Sequence, residues 1–233
     1  MLKLGVPSKG RLMDKTFDWF GARGLPMERG EDAREYSGEI RGAGDVELVL
    51  LSAGEIPREL EAGRIHLGVT GSDVVREALV SWERKVKVLT GMGFGHADLV
   101  IAVPRFWVDV ETLDDLDAAA AAFRRRHGFR LRIATKYHRL VREYLRYHGV
   151  ADYRLVDSQG ATEGTVRQET AEAIADITST GETLRANHLR PLSDGPIHAS
   201  QATLFKSRTA DWSDAALSAY DGLVDRIGLG DES

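Results

Sequence analysis

Short apolar runs separated by amphipathic stretches set the pattern of this chain. Lys3–Val6, Val46–Leu51, Leu67–Thr70, Leu99–Val103, Leu131–Ala134 and Tyr153–Val156 have strand length and apolar composition, as buried strands do. Between them the spacing turns helical. Glu55–Ala62 predicts a short helix closed by Gly63. Leu113–His127 predicts an Ala-rich helix, acidic at its start and basic at its end, stopped by Gly128, and Arg139–His148 predicts another stopped by Gly149. That charge order suits the helix dipole, and glycine is the usual stop. Strands alternating with helices predict an α/β fold with a largely parallel sheet. Ile197–Lys206 reads as a late strand returning to the first part of the fold. After Asp211 comes an amphipathic helix (Trp212, Ala216, Leu217, Leu223, Val224) and then a polar end.

Gly91, Gly93 and Gly95 stand at alternate positions, which weakens any regular element and predicts a hinge between two lobes. A glycine-rich loop without domain meaning is the other reading. The division expected is residues 1–92 with 187–233 as the first lobe, and 93–186 as the second, carrying the phosphate loop described below.

Composition narrows the classes. The 233 residues are 42% hydrophobic and 29% charged, a globular profile. A net charge of -5 argues against general nucleic-acid binding, which needs a basic face. There is no cysteine, which removes disulfides, zinc thiolates and a cysteine nucleophile. No basic segment followed by an apolar run opens the chain, and no apolar run has membrane-spanning length, so a cytoplasmic protein is expected. The seven histidines, His138, His148, His188 and His198 among them, are scattered without ligand spacing, so no metal cage is expected.

The stretch from Ala175 to Leu184 carries the most chemistry: a short strand ending in Asp176, a hydroxyl-rich turn around Gly181, then a helix. A helix start offers unpaired N–H groups to a phosphate. Ser179, Thr180 and Thr183 add hydroxyl donors, and Asp176 can accept from a sugar diol. Together they suggest a phosphoribosyl site, although a plain Ser/Thr-capped corner has the same letters. Ser8-Lys9-Gly10-Arg11 follows the first strand and can hold a polyphosphate by charge and amides, or can be a solvated turn. Arg34 and Tyr36 lie in a polar segment. Arg58, beside Pro57 near a helix start, opposes the dipole and so points to an anion. Gly71 and Asp73 form another strand-end turn, where ligands sit in open α/β sheets. Glu163 reads as a second carboxylate for the Asp176 site or as a surface acid.

The segments LGVPSKGRL, REYSG, EIPRELEAGRIHLGVTGSD, RIATKYHRL and ATEG…AEAIADITSTGETLRANHL, in this order from Leu4 to about Phe205, closely resemble the ATP phosphoribosyltransferase family of histidine biosynthesis. The resemblance implies a fold of two α/β lobes with a cleft, like periplasmic solute-binding proteins. It implies attack of adenine N1 of ATP on the anomeric carbon of phosphoribosyl pyrophosphate, with loss of pyrophosphate and a requirement for Mg²⁺ carried by the substrate phosphates. Asp176 and Glu163 would bind the ribose hydroxyls, and Thr178 to Thr183 would cradle the 5-phosphate. Lys9, Arg11, Arg34 and Arg58 would surround the pyrophosphate and the ATP phosphates, and Asp73 and the Gly71 turn would sit on the lobe that faces the phosphate loop across the cleft. The length resembles the short form. That form works in a hetero-oligomer with a regulatory subunit resembling a histidyl-tRNA synthetase catalytic domain, the catalytic chain being dimeric alone.

The chain departs from the family pattern in places. Glu163-Gly164-Thr165-Val166 stands where E-x-A-P is frequent, His66 where an acid is common, Glu55 where Asp is frequent, and the SAG before it lacks a frequent arginine. Three other readings stand beside this one: a solute-binding protein of the same fold, a phosphoribosyltransferase acting on another base, and an inactive paralogue.

Overall fold

In chain order the computed structural model runs β1 (Leu2–Pro7), α1 (Gly10–Gly21), β2 (Met27–Arg29), β3 (Ser37–Ile40), β4 (Val46–Leu51), α2 (Ile56–Glu61) and β5 (Leu67–Gly71). There follow α3 (Ser72–Ala78), β6 (Val86–Gly91), β7 (Ala97–Pro104), α4 (Leu113–His127), β8 (Leu131–Thr135), α5 (His138–Tyr147) and β9 (Tyr153–Asp157). The chain closes with β10 (Ala173–Thr178), α6 (Glu182–Ala186), β11 (Leu189–Pro191), β12 (His198–Ser200), β13 (Ala202–Ser207) and α7 (Asp214–Arg226). Residues 1–30, 37–158 and 161–230 are described. Two units result: Met1–Gly95 with Gln201–Ser233, and His96–Ser200.

The first unit is built on a sheet of order β2-β3-β4-β1-β5-β13-β6. β1 runs parallel to β4 and β5, while the remaining pairs are antiparallel. Leu2, Leu4 and Val6 of β1 are fully buried, as the central strand of a covered sheet must be, and pack with Leu48, Leu50 and Val69 against Phe20 of α1 and Leu223 of α7. On a second core Ile56 and Leu60 of α2 and Val75 of α3 meet Phe205. Gly68 permits this approach, since a Cβ there would lie 2.7 Å from the Ile56 side chain. His66 ties the sheet to the segment before α7: Nδ1 accepts from the Lys3 N–H at 3.1 Å and Nε2 donates to the Asp211 carbonyl at 3.0 Å.

The second unit has the order β11-β7-β10-β8-β9, with β12 also on β7. β8 is parallel to β9 and β10, and β7 is antiparallel to β10, β11 and β12. Its core joins Leu99, Ile101, Leu131 and Ile133 to Leu116 and Ala120 of α4 and to Val141 and Leu145 of α5. A capping box starts α4, Thr112 Oγ1 accepting from the Asp115 N–H at 3.2 Å and the Asp115 carboxylate from the Thr112 N–H at 2.9 Å.

Three expectations are corrected here. The sheets are mixed rather than largely parallel, because the chain returns through hairpins and long reversals at their edges. Ile197–Lys206 is not one strand: β12 pairs with β7, and past Gln201 β13 enters the other sheet between β5 and β6. Residues 187–200 accordingly belong to the second unit, through β11 and β12. The first boundary falls after Gly95 and not after residue 92. Met92 is buried in the first core and its N–H donates to Ala202 at 2.9 Å.

Candidate active site

Because β4, β1 and β5 run parallel, the turns that follow them leave the same end of the sheet in the first unit. These are the strand ends at which open α/β sheets hold ligands. They carry Lys9 and Arg11 after β1, Arg58 after β4, and Asp73 after Gly71 ends β5. Gly10 takes φ 73°, which lets the extended chain at Lys9 fold straight into α1. Lys9, Arg11 and Arg58 are exposed, available to an anion, whereas Asp73 is buried. The Asp73 carboxylate folds back over Gly71 so closely that a side chain there would displace it.

Two local networks hold these turns. The Ser8 N–H donates to the Leu51 carbonyl at 2.7 Å, and Arg29 Nη2 donates to the Ser8 carbonyl at 3.0 Å. Arg29 was not singled out from the sequence, and its segment has no periodicity that distinguishes one arginine from the next. At the entry to α2, the Ser52 hydroxyl (2.7 Å) and N–H (3.0 Å) both donate to Glu55 Oε2. These bonds favour the ionised carboxylate and hold the Glu55 pKa below its ordinary value. Arg34 and Tyr36 lie outside the described residues.

In the second unit β8, β9 and β10 run parallel and likewise present one set of carboxyl ends. Asp176, half-buried near the end of β10, accepts from the Ile177 N–H at 2.8 Å with Oδ1. Thr178 Oγ1 accepts from the Gly181 N–H at 3.0 Å, and the Arg185 N–H donates to the Gly181 carbonyl at 3.0 Å. Gly181 sits at φ 73°, the left-handed turn that leads into α6, and the Glu182 N–H donates to Thr180 Oγ1 at 3.4 Å. Leu184 anchors α6 among Val100, Ala102, Ile174 and Leu189. Ser179, Thr180, Glu182 and Thr183 stay exposed around this anchored turn.

Glu163 lies on the 3-10 turn Thr162–Gly164, which packs against β10. The hydroxyls of buried Thr162 and Ser158 share a hydrogen bond of 2.8 Å that fixes this turn. The two predicted carboxylates, Asp176 and Glu163, therefore ride on adjoining segments of one unit. Arg185 is an addition. Its guanidinium folds over the loop, with Nη1 3.0 Å from where a Cβ on Gly181 would stand. Its position four residues beyond Gly181 is the signal that could have marked it. His138 Nε2 also meets Asp157 Oδ1 at 2.6 Å at these strand ends.

Among the described residues no three His, Cys, Asp or Glu side chains form a metal cluster. Asp176 and Glu163 do suit Mg²⁺, a hard cation that takes one or two carboxylates with substrate phosphates and water. Taken by units, one set of strand ends supplies cations and turn amides, and the other supplies carboxylates for a diol beside a phosphate-sized turn.

The fold defines the class. A solved ATP phosphoribosyl transferase (HisG:HisZ) complex from Thermotoga maritima matches with a TM-score of 0.72 at 22% identity, covering 98% of this chain and 96% of that one. A histidine kinase sensor domain similar to periplasmic binding proteins matches at 0.53 and 13% identity, covering 98% and 89%. This is a two-lobed α/β protein of the periplasmic-binding-protein type. Residues 52–228 match the family model of HisG, ATP phosphoribosyltransferase. An ATP phosphoribosyltransferase of Cereibacter sphaeroides is 72% identical over 228 residues, 98% of this chain and 96% of that protein. One from Bradyrhizobium diazoefficiens is 48% identical over 224 residues, covering 96% of this chain and 69% of the longer relative. The chain belongs to the ATP phosphoribosyltransferase family, and it is an enzyme rather than a solute-binding protein. No helix among the described residues is long and apolar enough to cross a membrane.

Proposed function

We propose that this chain transfers the phosphoribosyl group of phosphoribosyl pyrophosphate to N1 of the adenine of ATP, the first step of histidine biosynthesis. The observation that carries the reading is the β10 corner: Asp176 at the strand end, then the turn pinned by Thr178 and Gly181 with Arg185 folded over it. In this reading Asp176 and Glu163 accept from the ribose hydroxyls. Thr178, Ser179, Thr180, Gly181, Glu182 and Thr183 enclose the 5-phosphate.

The N1 lone pair forms the new C–N bond while the anomeric C–O bond breaks, and that electron pair leaves on pyrophosphate. Adenine N1 is a nucleophile without prior deprotonation, so the protein's task is positioning and charge stabilisation. Lys9, Arg11, Arg34 and Arg58 meet the charge that grows on the leaving group. Asp176 and Glu163 would hold Mg²⁺ together with the substrate phosphates, and the ion would supply charge neutralisation there.

The regulatory arrangement belongs to the same proposal. The Thermotoga maritima neighbour is a HisG:HisZ complex, and the Cereibacter sphaeroides relative is covered to 96% of its length. These support a short-form catalytic subunit that assembles with a regulatory subunit, and a cytoplasmic location belongs to the same reading.

The test is pyrophosphate release from ATP and phosphoribosyl pyrophosphate with Mg²⁺, omitting each component in turn. Release that requires all three is expected. Release that proceeds without ATP, or neither release nor phosphoribosyl pyrophosphate binding, would overturn the proposal.

A further inference from the structure

A cavity of about 440 Å³ opens in the second unit, lined by Arg130, Arg142, Asp152, Tyr153 and Arg154 together with Ala151 and Leu155. It lies at the amino ends of β8 and β9: Arg130 precedes β8, and Ala151 and Asp152 precede β9. β8, β9 and β10 are parallel, so this is the opposite end of the sheet from Asp176 and the loop after β10. β9 is the edge strand. Tyr153 and Arg154, which point to opposite faces of a strand, both line the cavity, so it wraps the open edge.

The electrostatics of the cavity are one-sided. Its single acid, Asp152, is already paired with Arg124 from α4. The backbone groups at its base are also taken: the Ala151 N–H donates to Asp117 at 2.6 Å and the Asp152 carbonyl accepts from Leu131 at 3.0 Å. Arg130, Arg142 and Arg154, by contrast, enter none of the ion pairs among the described residues. Three exposed arginines from three elements line this one cavity in a chain whose net charge is -5.

A charge on an edge strand can serve simply to prevent edge-to-edge association. Arg154 alone would do that. Arg130 and Arg142 guard no edge, since they come from a loop before an inner strand and from a helix. Three cations lining one cavity raise its local positive potential and favour an anion there. Guanidinium forks match phosphate oxygens, and the volume falls in the range of sites for organic ligands rather than single ions.

We infer that this cavity is a second anion site, separate from the reacting centre, that takes a phosphate ester of nucleotide size. The guanidiniums of Arg130, Arg142 and Arg154 hold its phosphates, and the half-buried Tyr153 ring meets its organic part.

The test is calorimetric titration of the full chain with ADP and, separately, with inorganic tripolyphosphate. It is run on the wild type, on R130A/R142A/R154A and on the conservative R142Q/R154Q. The expected result is one equivalent of ADP per chain more in the wild type than in either variant. Pyrophosphate release stays unchanged in the variants, so loss of this site is distinguishable from failure of the proposed reaction. The same extra equivalent with tripolyphosphate would show that phosphates alone suffice, and its absence that the organic part is required. Both outcomes support the site. Equal ADP stoichiometry and affinity in wild type and variants would overturn it.

Discussion

Substituting Gly181 by alanine tests whether the phosphate loop is held in its left-handed turn by backbone conformation. Gly181 has φ 73°, where a residue with a Cβ is disfavoured by about 1–2 kcal/mol. The added methyl would stand 3.0 Å from Arg185 Nη1. Arg185 is exposed and the atom met is the far end of its long side chain, so it can move aside and the clash adds little. The destabilisation should therefore be about 1–2 kcal/mol, or roughly 2–8 °C in the melting of the whole chain, at about 2–4 °C per kcal/mol for chains of this size. Phosphoribosyl pyrophosphate affinity should fall as well, because relaxing φ removes the Gly181 N–H from Thr178 and re-aims the amides after it. Gly181→Asn is the control, since asparagine tolerates the left-handed region best among residues with a Cβ. Differential scanning calorimetry and isothermal titration would follow all three chains. An alanine variant as stable as the wild type, or an asparagine variant no better than alanine, would refute the argument from φ.

Other consequences follow from single contacts. Asp176→Asn should weaken phosphoribosyl pyrophosphate binding by about 1–3 kcal/mol through loss of a charge-assisted bond to the diol; unchanged affinity by titration would remove Asp176 from the site. Arg58→Ala should lower kcat more than it raises KM, because its charge acts on the leaving group; an effect confined to KM would assign it to ground-state binding. Asp115 is held below its ordinary pKa by the Thr112 hydroxyl and by the Thr112 and Glu111 N–H groups. Its contribution to stability is thus complete above the ordinary aspartate range and is lost as pH falls through the lower folded value. The melting difference between wild type and Asp115→Asn should close on acidification, and a pH-independent difference would contradict this. His66→Ala leaves the Lys3 N–H without its acceptor beside a fully buried Leu2, and chemical denaturation should show a loss of about 2–4 kcal/mol.

Elements whose stability is local were legible in the sequence. Val46–Leu51 and Leu113–His127 end where predicted, because a buried run and a fully capped helix carry their own boundaries. β6 was missed: its burial along Val86–Gly91 falls away after the first residue, and it lies at a sheet edge. An edge strand needs no apolar run. The break at Gln201 was invisible because apolar residues continue on both sides of it and only pairing separates β12 from β13. The site divides the same way. The β10 corner announced itself through residue types at contiguous positions, whereas Arg29 and Arg185 acquire meaning only from what the backbone folds them onto.

The placement of β13 bears on how the chain is made. Residues 96–200 interrupt the first unit, and β13 fills the slot between β5 and β6. During synthesis β1 to β6 emerge first, yet β6 has no neighbour to bond until β13 follows more than a hundred residues later. The second unit, contiguous in sequence, has all its strands in hand before then. Vectorial synthesis thus completes the inserted unit ahead of the one that began the chain, and the half carrying Lys9, Arg11 and Arg58 is the last to close.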